Sequence, residues 1–167
     1  TSGSYSDNWN YWNLIQPDAD CEVYFTVNSI GVDGYFWAWL RFDSANLNGY
    51  GCYVSEFEQL ARIYRLDNGI KTSLGSFSVN PANGDSVGLS AIGNLLTLYY
   101  KVGAGAWTQV AQATDSTYTS AGNIAVQGQE FTDSQKIDDV GGGSIIASGI
   151  TTISPSTKLI TISLNNA

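Results

Sequence analysis

Short runs in which apolar and polar residues alternate one by one, each closed by a turn signal, constrain this chain more than anything else in it. Side chains along a strand point to opposite faces in turn, so a period of two buries one face and leaves the other. "CEVYFTV" (21–27) sets Cys21, Val23, Phe25 and Val27 against Glu22, Tyr24 and Thr26. "YFWAWLRF" (35–42), "YGCYVSEF" (50–57), "LARIYRL" (60–66) and "IKTSLGSFSV" (70–79) follow. Then come "SVGLSAI" (86–92), "LLTLYYKV" (95–102), "WTQVAQAT" (107–114), "NIAVQGQEF" (123–131) and "SQKIDDVGGG" (134–143). "DNG" (67–69) predicts a tight hairpin, because Asn and Gly accept the positive φ of a type I′ turn. No long stretch carries a 3.6-residue period, so the chain is all-β, with the strand spacing of a sandwich or barrel.

Composition removes several functions. With 15 acidic and 7 basic residues the net charge is −8, and no basic stripe exists to displace the counterions of a nucleic acid. The chain has no His, which excludes Ser-His and Cys-His catalysis and His-ligated zinc. Cys21 and Cys52 are too few for a four-thiolate zinc site; a disulfide and two buried thiols both remain open. No apolar run reaches the roughly 18 residues of a membrane span. There is no Met, so Thr1 is expected to be a processed or excised start.

The order of the pieces resembles the concanavalin A-like (laminin G-like) jelly-roll superfamily, in the form found in phage virion proteins and secreted bacterial multidomain proteins. The residues that carry it are "PDADCEVYFTV", "NGYGCYV", "ARIYRLDNGIKTSLGSF", "GDSVGLSAIGNLLTLYYKVG", "ATDSTYTSAGNIAVQG" and "KIDDVGGG". "YSDNWNYWN" only partly matches the family's opening strand. The resemblance implies a two-sheet antiparallel jelly-roll sandwich with one concave sheet, in a fold used mostly for glycan binding. Residues 1–143 would form this domain. The aromatic-free tail 144–167 would be a β-rich C-terminal arm or a linker.

"GYFWAWLRF" (34–42) poses the functional question. Phe36, Ala38, Leu40 and Phe42 read as the core face. The opposite face then carries Trp37, Trp39 and Arg41, where a half-exposed strand ordinarily carries Thr, Ser or Lys. Joined by Glu22 and Tyr24 from the preceding strand and Tyr53 from the next, these would make an aromatic concave platform. Sugar C–H faces would stack on its rings, and Arg41 and Glu22 would bond hydroxyls. A protein interface or plain packing of the tryptophans competes with this. "DNWNYWN" (7–13) reads as an edge strand before it reads as a sugar subsite.

Hydrolysis fares worse. Glu56 and Glu58 in "EFEQLA" share a face, but Ala61 stands where a related hydrolase family keeps its third carboxylate, and retaining chemistry needs a carboxyl pair about 5 Å apart. Asp138 and Asp139, with Asp7 or Asp20, are candidate ligands for a structural calcium ion, which takes six to eight oxygens. "VGAGA" and "DVGGGS" are turns, since neither has the Lys-Ser/Thr of a phosphate loop.

The expectation is therefore a non-catalytic module on an extracellular or virion surface, with a glycan or polysaccharide as partner and neither nucleic acid nor membrane. The alternative is a phage capsid decoration or tail component that uses the same patch and the 144–167 arm to join virion subunits.

Overall fold

The computed structural model describes residues 8–12, 16–31, 34–129 and 135–146. Among the described residues eleven strands run in chain order: β1 Asn8–Trp12, β2 Cys21–Ser29, β3 Tyr35–Asp43, β4 Asn48–Ser55, β5 Leu60–Asp67, β6 Ile70–Ser78, β7 Ser86–Ile92, β8 Leu95–Lys101, β9 Thr108–Thr114, β10 Asn123–Gln129 and β11 Lys136–Ser144. They form two antiparallel sheets, one of six strands in the order β1-β10-β3-β4-β5-β6, the other of five in the order β11-β2-β7-β8-β9. This is the two-sheet jelly roll that the alternation and the resemblance call for. The tail beyond residue 146 lies outside the described residues, and so does Asp7.

The core lies between the sheets. Val23, Phe25 and Val27 of β2 and Val87 and Leu89 of β7 meet Phe36, Ala38 and Leu40 of β3 and Val54 and Ile63 of β4 and β5, all buried. Cys21 and Cys52 belong to this core as free thiols, each on a different sheet. Burial pushes Cys21 up to about 11 and Cys52 up to about 12, so both stay protonated and unreactive at neutral pH.

The turns behave as their residues require. Asp67 pairs with Ile70, leaving Asn68 and Gly69 as a two-residue loop with φ of 49° and 81°, as a type I′ turn demands. Asp85 of the "GDSV" stretch is buried, where it accepts hydrogen bonds from the Tyr100 hydroxyl at 2.7 Å and the Gly103 N–H at 2.9 Å.

Arg41 breaks the alternation of β3. It has φ of 49°, and the pairing with β4 jumps between Leu40↔Tyr50 and Asp43↔Asn48. Glycines on both sides leave room for this bulge, Gly49 in β4 and Gly122 just before β10. A Cβ on Gly122 would sit 2.7 Å from Arg41 Cα, and one on Gly49 would sit 3.1 Å from Phe42 Cα. The extra residue corrects two expectations. Phe42 leaves the core face and joins Trp37 and Trp39 on the outside of the sheet, and Arg41 leaves the row that holds the tryptophans.

Beside the bulge, Asp115 ties the β9–β10 loop to β4 and β5. It accepts the Tyr50 hydroxyl at 2.7 Å, Arg65 Nη1 at 2.7 Å and the Thr117 N–H at 2.8 Å. Burial alone would raise this carboxyl, but the bonds from Thr117, Tyr50 and Arg65 hold it well below the usual carboxylate range. A depressed folded pKa contributes stability that is complete above the unfolded value, about 3.9, and fades as pH falls below it. Thermal melts should therefore fall between about pH 4 and pH 2, and Asp115→Asn should flatten that slope. At pH 7 the same substitution should cost about 1.5–3 kcal/mol, the range for a charged hydrogen bond. Parallel pH curves for the two proteins would contradict this.

Candidate functional site

On the outside of the six-stranded sheet lies a second apolar layer of Trp37, Trp39, Phe42, Tyr53, Leu66 and Ala125, with Tyr35, Leu47, Leu60 and Tyr64 packed against it. Register assembles it: Gln127, Trp37, Tyr53 and Arg62 lie opposite one another across β10, β3, β4 and β5, and Ala125, Trp39, Gly51 and Tyr64 form the next row. Gly51 is required because the Trp39 ring lies over it, and a Cβ there would be 2.8 Å from Trp39 Cδ2. Trp39 is wholly buried as a result, while Trp37 and Tyr53 are each 6% exposed.

A continuous run of rings crosses this face. Tyr35 meets Trp37 edge-on at 4.9 Å, Trp37 lies 4.8 Å from Tyr53, and Tyr53 meets Tyr64 edge-on at 5.5 Å. Polar groups continue it. Arg62 Nη1 donates to the Tyr64 hydroxyl at 2.9 Å and pairs with Glu58 at 3.2 Å. Lys71 Nζ sits 3.9 Å from the centroid of the Trp37 ring, a cation–π contact that takes one ring face. Trp37 Nε1 and both polar atoms of the Gln127 amide are buried and, among the described residues, have no hydrogen-bond partner. Tyr35, Tyr64, Arg62 and Lys71 are half-buried, while Ser73 and Ser76 of β6 are exposed.

Of the six residues expected to form the platform, the structure brings together Trp37, Trp39 and Tyr53. Glu22 and Tyr24 lie on β2, which pairs with β11 and β7 in the other sheet, so they cannot join β3. β2 and β3 follow one another in the chain but belong to different sheets, and alternation does not encode that change. On the five-stranded sheet Tyr24 meets Trp107 edge-on at 6.1 Å, with Lys101 Nζ 5.5 Å from the Trp107 ring. Burial raises the Glu22 carboxyl there.

Arg41 is 4% exposed and works as a clamp, its Nε donating to the Ala19 carbonyl at 2.6 Å and its Nη1 to the Tyr118 carbonyl at 2.9 Å. Sequence reasoning missed Arg62, Tyr64 and Lys71, and weighed Glu58 only as a catalytic carboxylate. For Arg62 and Tyr64 the signal was present in the alternation of "LARIYRL", which sets them on one face.

The carboxylates separate as well. Glu58 lies in the turn between β4 and β5, where Ser55 Oγ caps its N–H at 3.1 Å. The structure does not bring Asp20 beside Asp138 and Asp139. Asp138 accepts the Asp139 N–H at 2.9 Å on one oxygen and Asn28 Nδ2 at 3.4 Å on the other. Asp20 belongs to the far end of β11, where Ile145 N donates to its carbonyl, six residues or roughly 20 Å along the strand. Among the described residues no three His, Cys, Asp or Glu side chains gather into a metal site.

No family model matches the chain, and no curated protein matches its sequence. Solved structures do match its fold. The carbohydrate-binding module CBM66 from Bacillus subtilis superposes with a TM-score of 0.64 at 16% identity, over 86% of this chain and 92% of that one. The VIP36 exoplasmic/lumenal domain, in a form bound to Ca2+ and Man3GlcNAc, gives 0.63 at 11% identity over 83% and 72%. Sheep galectin-11, in complex with glycerol, gives 0.55 at 6% identity over 82% and 97%. The fold these structures share with the chain is the two-sheet antiparallel jelly roll.

Proposed function

We propose that the chain is a non-catalytic recognition module that binds carbohydrate on the outer face of its six-stranded sheet. The observation that carries this is the ring row Tyr35–Trp37–Tyr53–Tyr64 running into the Arg62–Glu58 pair, on a face that a sandwich normally leaves polar. Sugar C–H faces pack on aromatic rings, and hydroxyls accept hydrogen bonds from Arg and donate them to carboxylate in fixed geometry. The half-buried Tyr64, Arg62 and Lys71 are the groups a sugar reaches. Trp37 and Tyr53 support them from below, and Trp39 anchors the layer. The carbohydrate-binding module and lectin structures that share the fold support the same reading by analogy.

The partner is a glycan or polysaccharide, met on an extracellular or virion surface. Among the described residues no helix is long and apolar enough to cross a membrane. The alternative, a virion subunit joined through this face and residues 144–167, depends mostly on residues outside the described ones.

A glycan array on the full chain tests the proposal, with Tyr64→Ala and Arg62→Ala alongside. Each variant is expected to lose about tenfold or more in affinity, which is ~1.4 kcal/mol. Their melting temperatures should stay near that of the parent, since both residues are half-buried at the rim of the layer. A folded parent protein that binds nothing on the array would overturn the proposal.

A further inference from the structure

The geometry points to a second saccharide site, a pocket at the end of the sandwich that takes one or two rings of a neutral, hydroxyl-rich ligand. It rests on the carbohydrate-binding proposal for its ligand class and on separate residues for its place. A cavity of about 380 Å³ opens between the β3–β4 turn and the β9–β10 loop, walled by Asp43, Ser44 and Asn48 on one side and by residues 117–123 on the other. Small-ligand sites run from roughly 300 to 1,000 Å³, so this one suits a short ligand rather than a long chain lying across a sheet.

The pocket is held open by the scaffold. Arg41 at the bulge bonds the Tyr118 carbonyl, the Tyr118 N–H donates to the Tyr50 hydroxyl at 2.9 Å, and the Tyr118 hydroxyl donates to Asp67 at 2.7 Å. On the opposite wall, Asp43 folds its own turn by accepting the Ala45 N–H at 2.9 Å and Asn46 Nδ2 at 2.7 Å. Asn48 Oδ1 fixes that wall to the next hairpin through the Asn68 N–H at 2.7 Å. A site whose walls are already ordered loses little entropy when a ligand enters.

Its chemistry is that of a sugar subsite. Ser44, Thr119, Ser120 and Asn123 line the cavity and bring three hydroxyls and an amide to it, and the bonds named above that shape these loops use none of those four side chains. Tyr118 adds one half-buried ring. The lining holds one cation and one anion, Arg41 and Asp43, and both are engaged within the protein. Arg41 Nη2 is buried 3.7 Å from Asp20 Oδ1, so the guanidinium stays paired within the protein. A charged ligand would lack a counter-ion here, whereas a polyol finds hydroxyls and amides.

The test is a titration of the ¹⁵N-labelled full chain with mannose, galactose, glucose, lactose and cellobiose, read as amide shift changes. Ser120→Trp, which fills the pocket from an exposed position, and the face variant Arg62→Ala are run beside it. Shifts are expected to gather at residues 43–48 and 117–123. Ser120→Trp should weaken that binding about tenfold or more, and Arg62→Ala should leave it within about twofold, a difference of ~0.4 kcal/mol. Shifts confined to Tyr35, Trp37, Tyr53 and Tyr64, or binding unchanged in Ser120→Trp, would overturn the pocket and leave the face standing. No shift with any of the five sugars would overturn the pocket, whereas only an empty glycan array removes the face as well.

Discussion

Replacing Arg41 with methionine is expected to lower the stability of the domain by about 3–5 kcal/mol, the cost of losing two charged hydrogen bonds from a buried guanidinium. Methionine keeps the apolar stem and removes the guanidinium. The Ala19 and Tyr118 carbonyls then lose their donors, and Asp20 loses a cation 3.7 Å away. Charged hydrogen bonds contribute about 1.5–3 kcal/mol each, so two of them account for the figure. For a domain of this size that is a fall of about 10 °C in melting temperature. Urea melts should show a lower midpoint at an unchanged slope. Arg41→Gly is the informative partner, because glycine adopts the 49° φ without the roughly 1 kcal/mol or more that a side chain costs there. It should be the milder of the two. An Arg41→Met protein within about 1 kcal/mol of the parent would show that the clamp is not a main support.

Gly122→Ala should be nearly as damaging, by about 3 kcal/mol, the upper end of the overpacking range. Its added Cβ would sit 2.7 Å from Arg41 Cα and 2.7 Å from Phe42 N. Those are backbone atoms, and they cannot rotate away as a side chain does. Relief requires undoing the bulge, which would return Phe42 to the core face and tear the Arg41 clamp. Gly143→Ala serves as the control. It has no atom within 4 Å of an added Cβ and no positive φ, so it should be neutral or slightly stabilising. Equal melting temperatures for the two alanine variants would refute the steric account.

Much of the fold was written in the alternation of the chain. The predicted runs from "CEVYFTV" to "KIDDVGGG" all became strands, and "DNG" made its hairpin with both positive φ angles. Three things were not written there. Alternation says which residues share a face but not which sheet a strand joins, so Glu22 and Tyr24 were placed beside Trp37 when β2 crosses to the other sheet. A bulge shifts the period by one residue without a local signature, since Arg41 is an uncommon choice for positive φ. The burial of Trp39 depends on Gly51, twelve residues away and opposite it only through register. The site was legible as a face rich in aromatics. Its reachable members, Tyr64 and Arg62, lie two strands from the run that drew attention.

The place of β10 between β1 and β3 carries a consequence for the making of the protein. β3 leaves the ribosome before its partner on one side, residues 123–129, which is synthesised more than eighty residues later, as the pairing of Trp39 with Ala125 records. Until then β3 presents an unpaired edge beside Trp37 and Trp39, the kind of surface that invites aggregation. Closing so long a loop is slow, so folding should be limited by the arrival and docking of β10. Any nascent chain halted before residue 123 would hold its aromatic layer open to whatever chaperone or neighbouring chain reaches it first.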